Sequence, residues 1–427
     1  MRPIKFIHTS DLHLDTPFKG LSAWNQQLAA RLKDASFKSF SRIINMCISE
    51  KVDFLIVAGD IFDGENRSLA AQLKFVAELK RLSDRGIPSY LVCGNHDPLD
   101  SWLESLTLPS LAYRFGGTEV ESLSYEKKGE TAADIYGISY RHKEVGENLA
   151  VRYRRKSDPA PVSIAVMHGT VGAPGPHHSY APFRVEDIRG MGFDYWALGH
   201  IHKHTVVQNA HPAIIYPGNP QGRDFGEAGP KGCCLVEIIP GQSPATRFIP
   251  IQLIRFEELY IDLSGINDLT VLSGKVEQAI GELEGSEKRP SGYSNDAGFV
   301  VRLILKGRTP LHAQLGKAGE TAQLLEHFND GQLHRTPFVW IDRIEVNTLP
   351  DTNLEQIRGS NDFAAGVLQV VDEMKKDPAL LSEMIDVVES GFVSIEAKRE
   401  LDRFSIEDQQ EILEKATWIL MDQLIRQ

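Results

Sequence analysis

Apolar residues fall into two rhythms along the first 254 positions. Short runs rich in β-branched side chains, at 4–8, 54–58, 89–93, 135–138, 164–168 and 195–198, predict strands, and most of them lead directly into Gly, Asp, Asn or His. Between the early runs the spacing lengthens to the helical repeat, near 26–49 and 68–85, the second closed by Gly86 and Pro88. Strand, loop and helix in succession predict an α/β layered fold, with functional residues gathered in the loops that leave the strand ends. From 255 to 345 the pattern predicts a small α+β domain: strand 258–263, helix 269–283, strand 299–306, helix 311–328 and strand 339–346, with a Gly-, Ser- and Pro-rich loop at 284–295. From 346 onward it is helical, over 363–376, 380–390 and 405–425, broken at Asp377-Pro378 and restarted at Ser405, with Asp408 three residues on as capping partner. The 427 residues exceed one compact core and are expected to divide into domains 1–254, 255–345 and 346–427.

No run approaches the roughly 18 apolar residues that span a membrane, and the N-terminus enters a strand without a signal-peptide core, so a cytoplasmic protein is expected. Cys47, Cys93, Cys233 and Cys234 show no zinc-type spacing and read as buried reduced thiols. The net charge of −12 is unevenly spread: residues 346–427 hold 17 acidic and 8 basic side chains, a net of −9, which leaves −3 for the first 345. The acidity therefore does not exclude a nucleic-acid substrate; it says the tail is not what binds one.

Candidate chemistry lies in five blocks, each after a strand-like run: Asp11-Leu12-His13, Gly59-Asp60, Gly94-Asn95-His96-Asp97, His168-Gly169 and Gly199-His200-Ile201-His202. One Asp-x-His or His-x-His alone is common; five in order at strand ends are a specific signal. Imidazole and carboxylate donors suit manganese, iron or zinc, and a divalent pair can clamp a phosphoryl group.

Taken together the blocks resemble the calcineurin-like metallophosphoesterase pattern. The resemblance implies an α/β sandwich of two β-sheets flanked by helices, with a small α+β cap and C-terminal helices. It also implies two divalent ions, with Mn²⁺ the expected metal. Asp11, His13, Asp60 and His202 would hold the first; Asp60, bridging, with Asn95, His168 and His200 would hold the second. His96 resembles the family histidine that protonates the leaving oxygen, with Asp97 expected to orient its ring. Residues 9–14, 59–63 and the run Tyr216-Pro217-Gly218-Asn219-Pro220-Gln221-Gly222-Arg223, followed by Glu227 and Lys231, are similar to SbcD-type DNA repair exonucleases, and within them to the bacterial YhaO-type group. In related nucleases a His can follow the bridging Asp by three residues and help bind the DNA end; here Asp63 stands there, so that either it turns away from the substrate or the end is recognised differently, unless it simply caps a turn with the Gly that follows.

His178, in a Gly/Pro-rich loop, and Arg223 and Lys231 are candidates for substrate contact. Arg141, His142, Lys143, Arg152, Arg154, Arg155 and Lys156 form the densest basic stretch, either a phosphate track or a solvated face. Apolar positions Ile412, Leu413, Ala416, Ile419, Leu420 and Leu424 lie at helical spacing and either pack together or dock a partner. The resemblance implies a DNA substrate, an SMC-like ATPase on the C-terminal helices, possible homodimer formation and no membrane. Three functions remain open at this point: a metal-dependent DNA exonuclease or endonuclease working in repair, a small-nucleotide phosphodiesterase or pyrophosphatase, and a non-catalytic scaffold subunit.

Overall fold

The computed structural model describes residues 3–14, 28, 31–32, 34–63, 68–102, 106–172, 180–286, 298–317, 319–351, 354–391 and 405–425. The chain first lays down β1 (Ile4–Thr9), β2 (Phe54–Ala58), β3 (Ser89–Val92) and β4 (Ala112–Arg114) side by side and parallel. It then builds a second sheet from β5 (Glu121–Lys127), β6 (Glu130–Gly137), β7 (Val162–His168), β8 (Tyr195–Gly199), β9 (Thr205–Asn209) and β10 (Ala213–Tyr216). Finally β11 (Gly232–Ile238) returns antiparallel to β1 and β12 (Ala245–Pro250) antiparallel to β11, giving the orders β12-β11-β1-β2-β3-β4 and β5-β6-β7-β8-β10-β9.

Alternation along the strands explains the layers. In β2, Phe54, Ile56 and Ala58 face a core shared with Ile135, Ile164, Val166 and Tyr195 of the second sheet. Leu55 and Val57, pointing the other way, meet Phe40, Ile43 and Ile44 of helix Ala35–Ser49 and Phe75 and Leu79 of helix Leu69–Ser83. All five β2 residues are therefore buried, the pattern of a strand covered on both faces. The outer face of the second sheet is covered by Tyr153, Phe183 and Phe193 around Trp196. The α/β sandwich with helices outside is the architecture expected. All four cysteines are free and buried.

The chain divides into two compact units: Met1–Glu258 with Glu287–Val301 and Asn329–Asp342, and Leu259–Ser286 with Arg302–Phe328 and Arg343–Gln427. Strands β13 (Ile254–Asp262), β14 (Gly298–Thr309) and β15 (Phe338–Pro350) form a three-stranded sheet in that order. The single helix expected over 311–328 is two, His312–Leu315 and Glu320–Asn329, because Gly316 ends the first turn and Gly319, at φ +98°, reverses the chain. Most of the loop 284–295 lies outside the described residues. In the second unit the C-terminal helices Phe363–Lys376, Pro378–Ser390 and Ile406–Ile425 share a small core of Val371, Leu381 and Leu413. Of the six spaced apolar positions, Leu413 packs inward, while Ile412, Ile419 and Leu420 are exposed. Among the described residues no helix is long and apolar enough to cross a membrane.

Candidate metal centre

Parallel pairing sets the C-terminal ends of β1, β2 and β3 in a row, and that of β7 with β8 does the same in the facing sheet. The loops leaving these ends are tied together by main chain. Asp11, His13 and Leu14 donate their backbone N–H to the carbonyls of Gly59, Asp60 and Ile61, and Gly169 donates to Gly199. Close approach is obligatory: a Cβ on Gly199 would sit 1.8 Å from the Ala58 carbonyl oxygen, and one on Gly59 would lie 2.4 Å from the His168 Nδ1. Asp11, His13, Asp60 and His200 all adopt positive φ, between 43° and 106°, which non-glycine residues rarely take. Such strain collects where surrounding structure over-determines a functional position.

Among the described residues His13, Asp63 and His96 bring donor atoms together at the more open side, and two further clusters are Asp11–His13–His202 and Asp60–His168–His200; in each the atoms lie within 4.8 Å of one another. Asp60 lies between them: its Oδ2 is 3.4 Å from His168 Nε2 and 3.9 Å from His13 Nε2, while its Oδ1 accepts the His96 N–H. Asn95, buried, places its Oδ1 3.0 Å from His168 Nε2. His168 gives its Nδ1–H to the Ala58 carbonyl, which fixes the tautomer and leaves Nε2 to face Asp60 and Asn95. In the other cluster the His13 and His202 Nε2 atoms stand 3.3 Å apart, with Asp11 Oδ1 3.8 Å from the latter.

The charges are strongly coupled. Burial pushes the Asp11 carboxyl up. Burial would do the same to Asp60, but His168, His13 and His96 outweigh it and hold Asp60 well below the usual carboxylate range. Burial lowers His168, yet Asp60 and Asp11 lift it to about 9. Burial brings His200 down to about 3 and His13 well below its ordinary value. Carboxylates and imidazoles thus converge at a largely buried site, an arrangement that divalent cations neutralise. The donor set of imidazole, carboxylate and one amide oxygen fits such ions.

Asp97 departs from expectation. Its two oxygens accept the backbone N–H groups of Gly94, Asp60 and Ile61, so it fastens the Asp60 turn to the Asn95 turn and does not orient His96. The reason is geometric: Asp97 is buried beneath the loop, while the His96 side chain is 37% exposed above it. The carboxylate that holds His96 is Asp63, 3.0 Å from Nδ1, and that hydrogen bond raises the His96 pKa against the opposing effect of burial. Asp63 is thus neither turned away nor only a turn cap. Its three-residue spacing from Asp60, at the same strand end, was the available signal.

Lys231 also departs from expectation. It is buried and donates its Nζ to the His202 carbonyl, so it anchors that loop rather than reaching for a phosphate. Arg223 lies against Glu227 and His202. Glu227, to which the sequence pattern assigns no role, is 2.6 Å from His202 Nδ1. Tyr180 packs its ring 5.3 Å from that of His200. His178 lies outside the described residues. Most of the basic stretch is engaged locally: His142 with Asp100, Arg152 with Glu147, Lys156 with Asp134, and Arg154 and Arg155 with main-chain carbonyls. Arg141 and Lys143 are exposed, one and three residues beyond Tyr140, whose ring meets His168 edge-on.

The calcineurin-like phosphoesterase family model matches residues 4–204, and that of the metallophosphoesterase YhaO middle domain matches 256–349. The chain is 36% identical over 421 residues to "Uncharacterized metallophosphoesterase YhaO" of Bacillus subtilis, covering 99% of this chain and 98% of that protein. It is 23% identical to the DNA double-strand break repair protein Mre11 of Sulfolobus acidocaldarius, over 90% of this chain and 95% of the relative. Identity to a component of the nuclease SbcCD of Bacillus subtilis is 26%, over 56% of this chain and 67% of the relative.

Proposed function

The chain belongs to the calcineurin-like phosphoesterase family, and from that membership we propose that it is a two-metal phosphodiesterase whose substrate is DNA. The observation that carries the reading is the position of Asp60 Oδ2 between two donor clusters, with the half-exposed His96 beside them. The DNA assignment draws support from relatives named for DNA repair and nuclease activity, and from exposed Arg141 and Lys143 next to the centre.

Asp11, His13, Asp60 and His202 would hold one divalent ion and Asp60, Asn95, His168 and His200 the other, with manganese the metal expected from the sequence. Bound there, such a pair neutralises phosphoryl oxygens and makes water acidic enough to supply the nucleophile. The chain's own contribution is positional. Asp97 clamps the two turns that carry Asp60 and Asn95, so the donors meet without rearrangement. His96, its ring held by Asp63 and its pKa raised by that bond, would deliver a proton to the leaving oxygen as the phosphorus–oxygen bond breaks. His13, whose ring lies 5.0 Å from that of His96, limits where His96 can swing.

Manganese-loaded protein is expected to cleave labelled double- and single-stranded DNA and to hydrolyse bis-p-nitrophenyl phosphate. In the double variant Arg141→Glu/Lys143→Glu, DNA cleavage should fall while hydrolysis of the small ester is unchanged. A second reading, a small-nucleotide phosphodiesterase, is favoured by the local engagement of most of the basic stretch. It is the correct one if the small ester is cleaved and DNA is not. Absence of hydrolysis with any divalent metal would instead leave a scaffold subunit. An SMC-like ATPase remains the proposed partner, with exposed Ile412, Ile419 and Leu420 as its contact; Ile419→Asp should abolish co-purification and spare hydrolysis.

A further inference from the structure

We infer that Glu227 and Arg223 compete for one ring nitrogen of His202, and that Glu227, by winning, sets the tautomer that lets His202 serve the first donor cluster. The inference rests on the metal-site reading above and concerns residues that would not themselves touch an ion.

His202 Nε2 faces the cluster, 3.3 Å from His13 Nε2 and 3.8 Å from Asp11 Oδ1. Only a ring with its proton on Nδ1 leaves Nε2 free as a donor of electrons to a cation. Nδ1 has two neighbours of opposite character. Glu227 Oε1, an acceptor, lies 2.6 Å away; Arg223 Nη2, a donor, lies 3.1 Å away. The shorter contact to an ionised acceptor favours Nδ1–H, and so a free Nε2.

Glu227 is held for this task. Its Oε2 accepts from Asn219 Nδ2 and from the Arg223 backbone N–H, and Arg223 Nη2 donates to its Oε1 at 2.8 Å. These partners fix the carboxylate in place beside Nδ1. Lys231, through the His202 carbonyl, fixes the backbone from the other side. Arg223 thus has a double character: it steadies the carboxylate, but without that carboxylate it would be the remaining partner of Nδ1. A guanidinium cannot accept a proton. It would draw the lone pair of Nδ1 toward itself, move the ring proton to Nε2, and leave a donor aimed into the cluster where an acceptor is needed.

The test is manganese binding by calorimetry on the full chain, with metal-free thermal unfolding as a check on folding. Wild-type protein should show two sites. Glu227→Leu, which removes the acceptor, should weaken one of them about 10–100-fold, the range for removing an outer partner of a ligating histidine, and leave the other unchanged. Glu227→Leu/Arg223→Leu should recover most of that loss, because the competing donor is gone. A purely structural role for the Glu227–Arg223 pair predicts the reverse, with the double variant worse than the single. Nitrogen NMR of the metal-free His202 ring gives a second readout: Nδ1–H in wild type, Nε2–H in Glu227→Leu. Wild-type affinities in the single variant, or no recovery in the double, overturn this inference alone. A wild-type protein that takes up no manganese overturns it together with the proposed function.

Discussion

Around His168 the candidate centre is organised by main chain, whereas around His202 it is organised by ionised side chains. His168 is fully buried, its ring proton is taken by a backbone carbonyl, and the turn carrying Asp60 is fastened through three backbone N–H groups to Asp97. His202 has a quarter of its side chain exposed and owes its position to Glu227, Arg223 and Lys231, from the segment that leads back into β11. The carbonyl that holds His168 cannot be mutated away or titrated, so in the first arrangement only the Asp97 clamp is open to substitution. The second can be retuned by single substitutions. The cluster built on Asp60 and His168 should therefore be the more robust, and the one built on Asp11 and His202 the more adjustable.

This contrast is tested hardest at the shared residue. Asp60→Asn should abolish manganese binding at both clusters and cut hydrolysis of bis-p-nitrophenyl phosphate by at least about 10²-fold, whereas Asp11→Asn should empty only one. Equal loss of both ions in the two variants would show that the halves are not separable. Next in size, His96→Ala should retain both ions by calorimetry yet lose about 10²–10⁴-fold in turnover; Asp63→Asn should follow it in direction with a smaller loss. Chelation offers a third approach. If each ion is held at about one hundred times its dissociation constant, removing it should lower stability by about 2.7 kcal/mol per site, read from denaturant unfolding with and without EDTA. The smallest effect concerns Asp97. Asn supplies one acceptor oxygen for three backbone N–H groups, so Asp97→Asn should cost about 1–3 kcal/mol. Unchanged stability would mean the Asp60 turn is held by other means.

The strand ends were legible in the sequence because they follow short-range rules, and the residues to which the family resemblance pointed stand at those ends. Short apolar runs mark β1, β2 and β7, and Gly-Asp or Gly-Asn-His after such a run marks a tight exit from a strand. What could not be read is which carboxylate meets which imidazole. Asp97 is adjacent to His96 in sequence and Asp63 is 33 residues away, yet the ring goes to Asp63 because Asp97 points down into the loop. The same holds for Glu227, 25 residues from its histidine, and for Lys231, whose charge implied a substrate role until burial and the His202 carbonyl accounted for it. Long-range pairings of charged groups depend on how two sheets stack, which no local pattern records. The edge strands β5 and β9 were hidden for a related reason: half exposed and partly polar, they lack the apolar run that flags a covered strand.

The left-handed backbone at Asp11, His13, Asp60 and His200 has a consequence for how such a chain can change over time. Selection for foldedness alone would let these four positions drift toward glycine or asparagine, which take that conformation at little cost. The sandwich would survive the drift and the chemistry would not. A library screened only for soluble expression should accordingly lose its donors first at the turns where the chain is most contorted, long before any strand is disturbed.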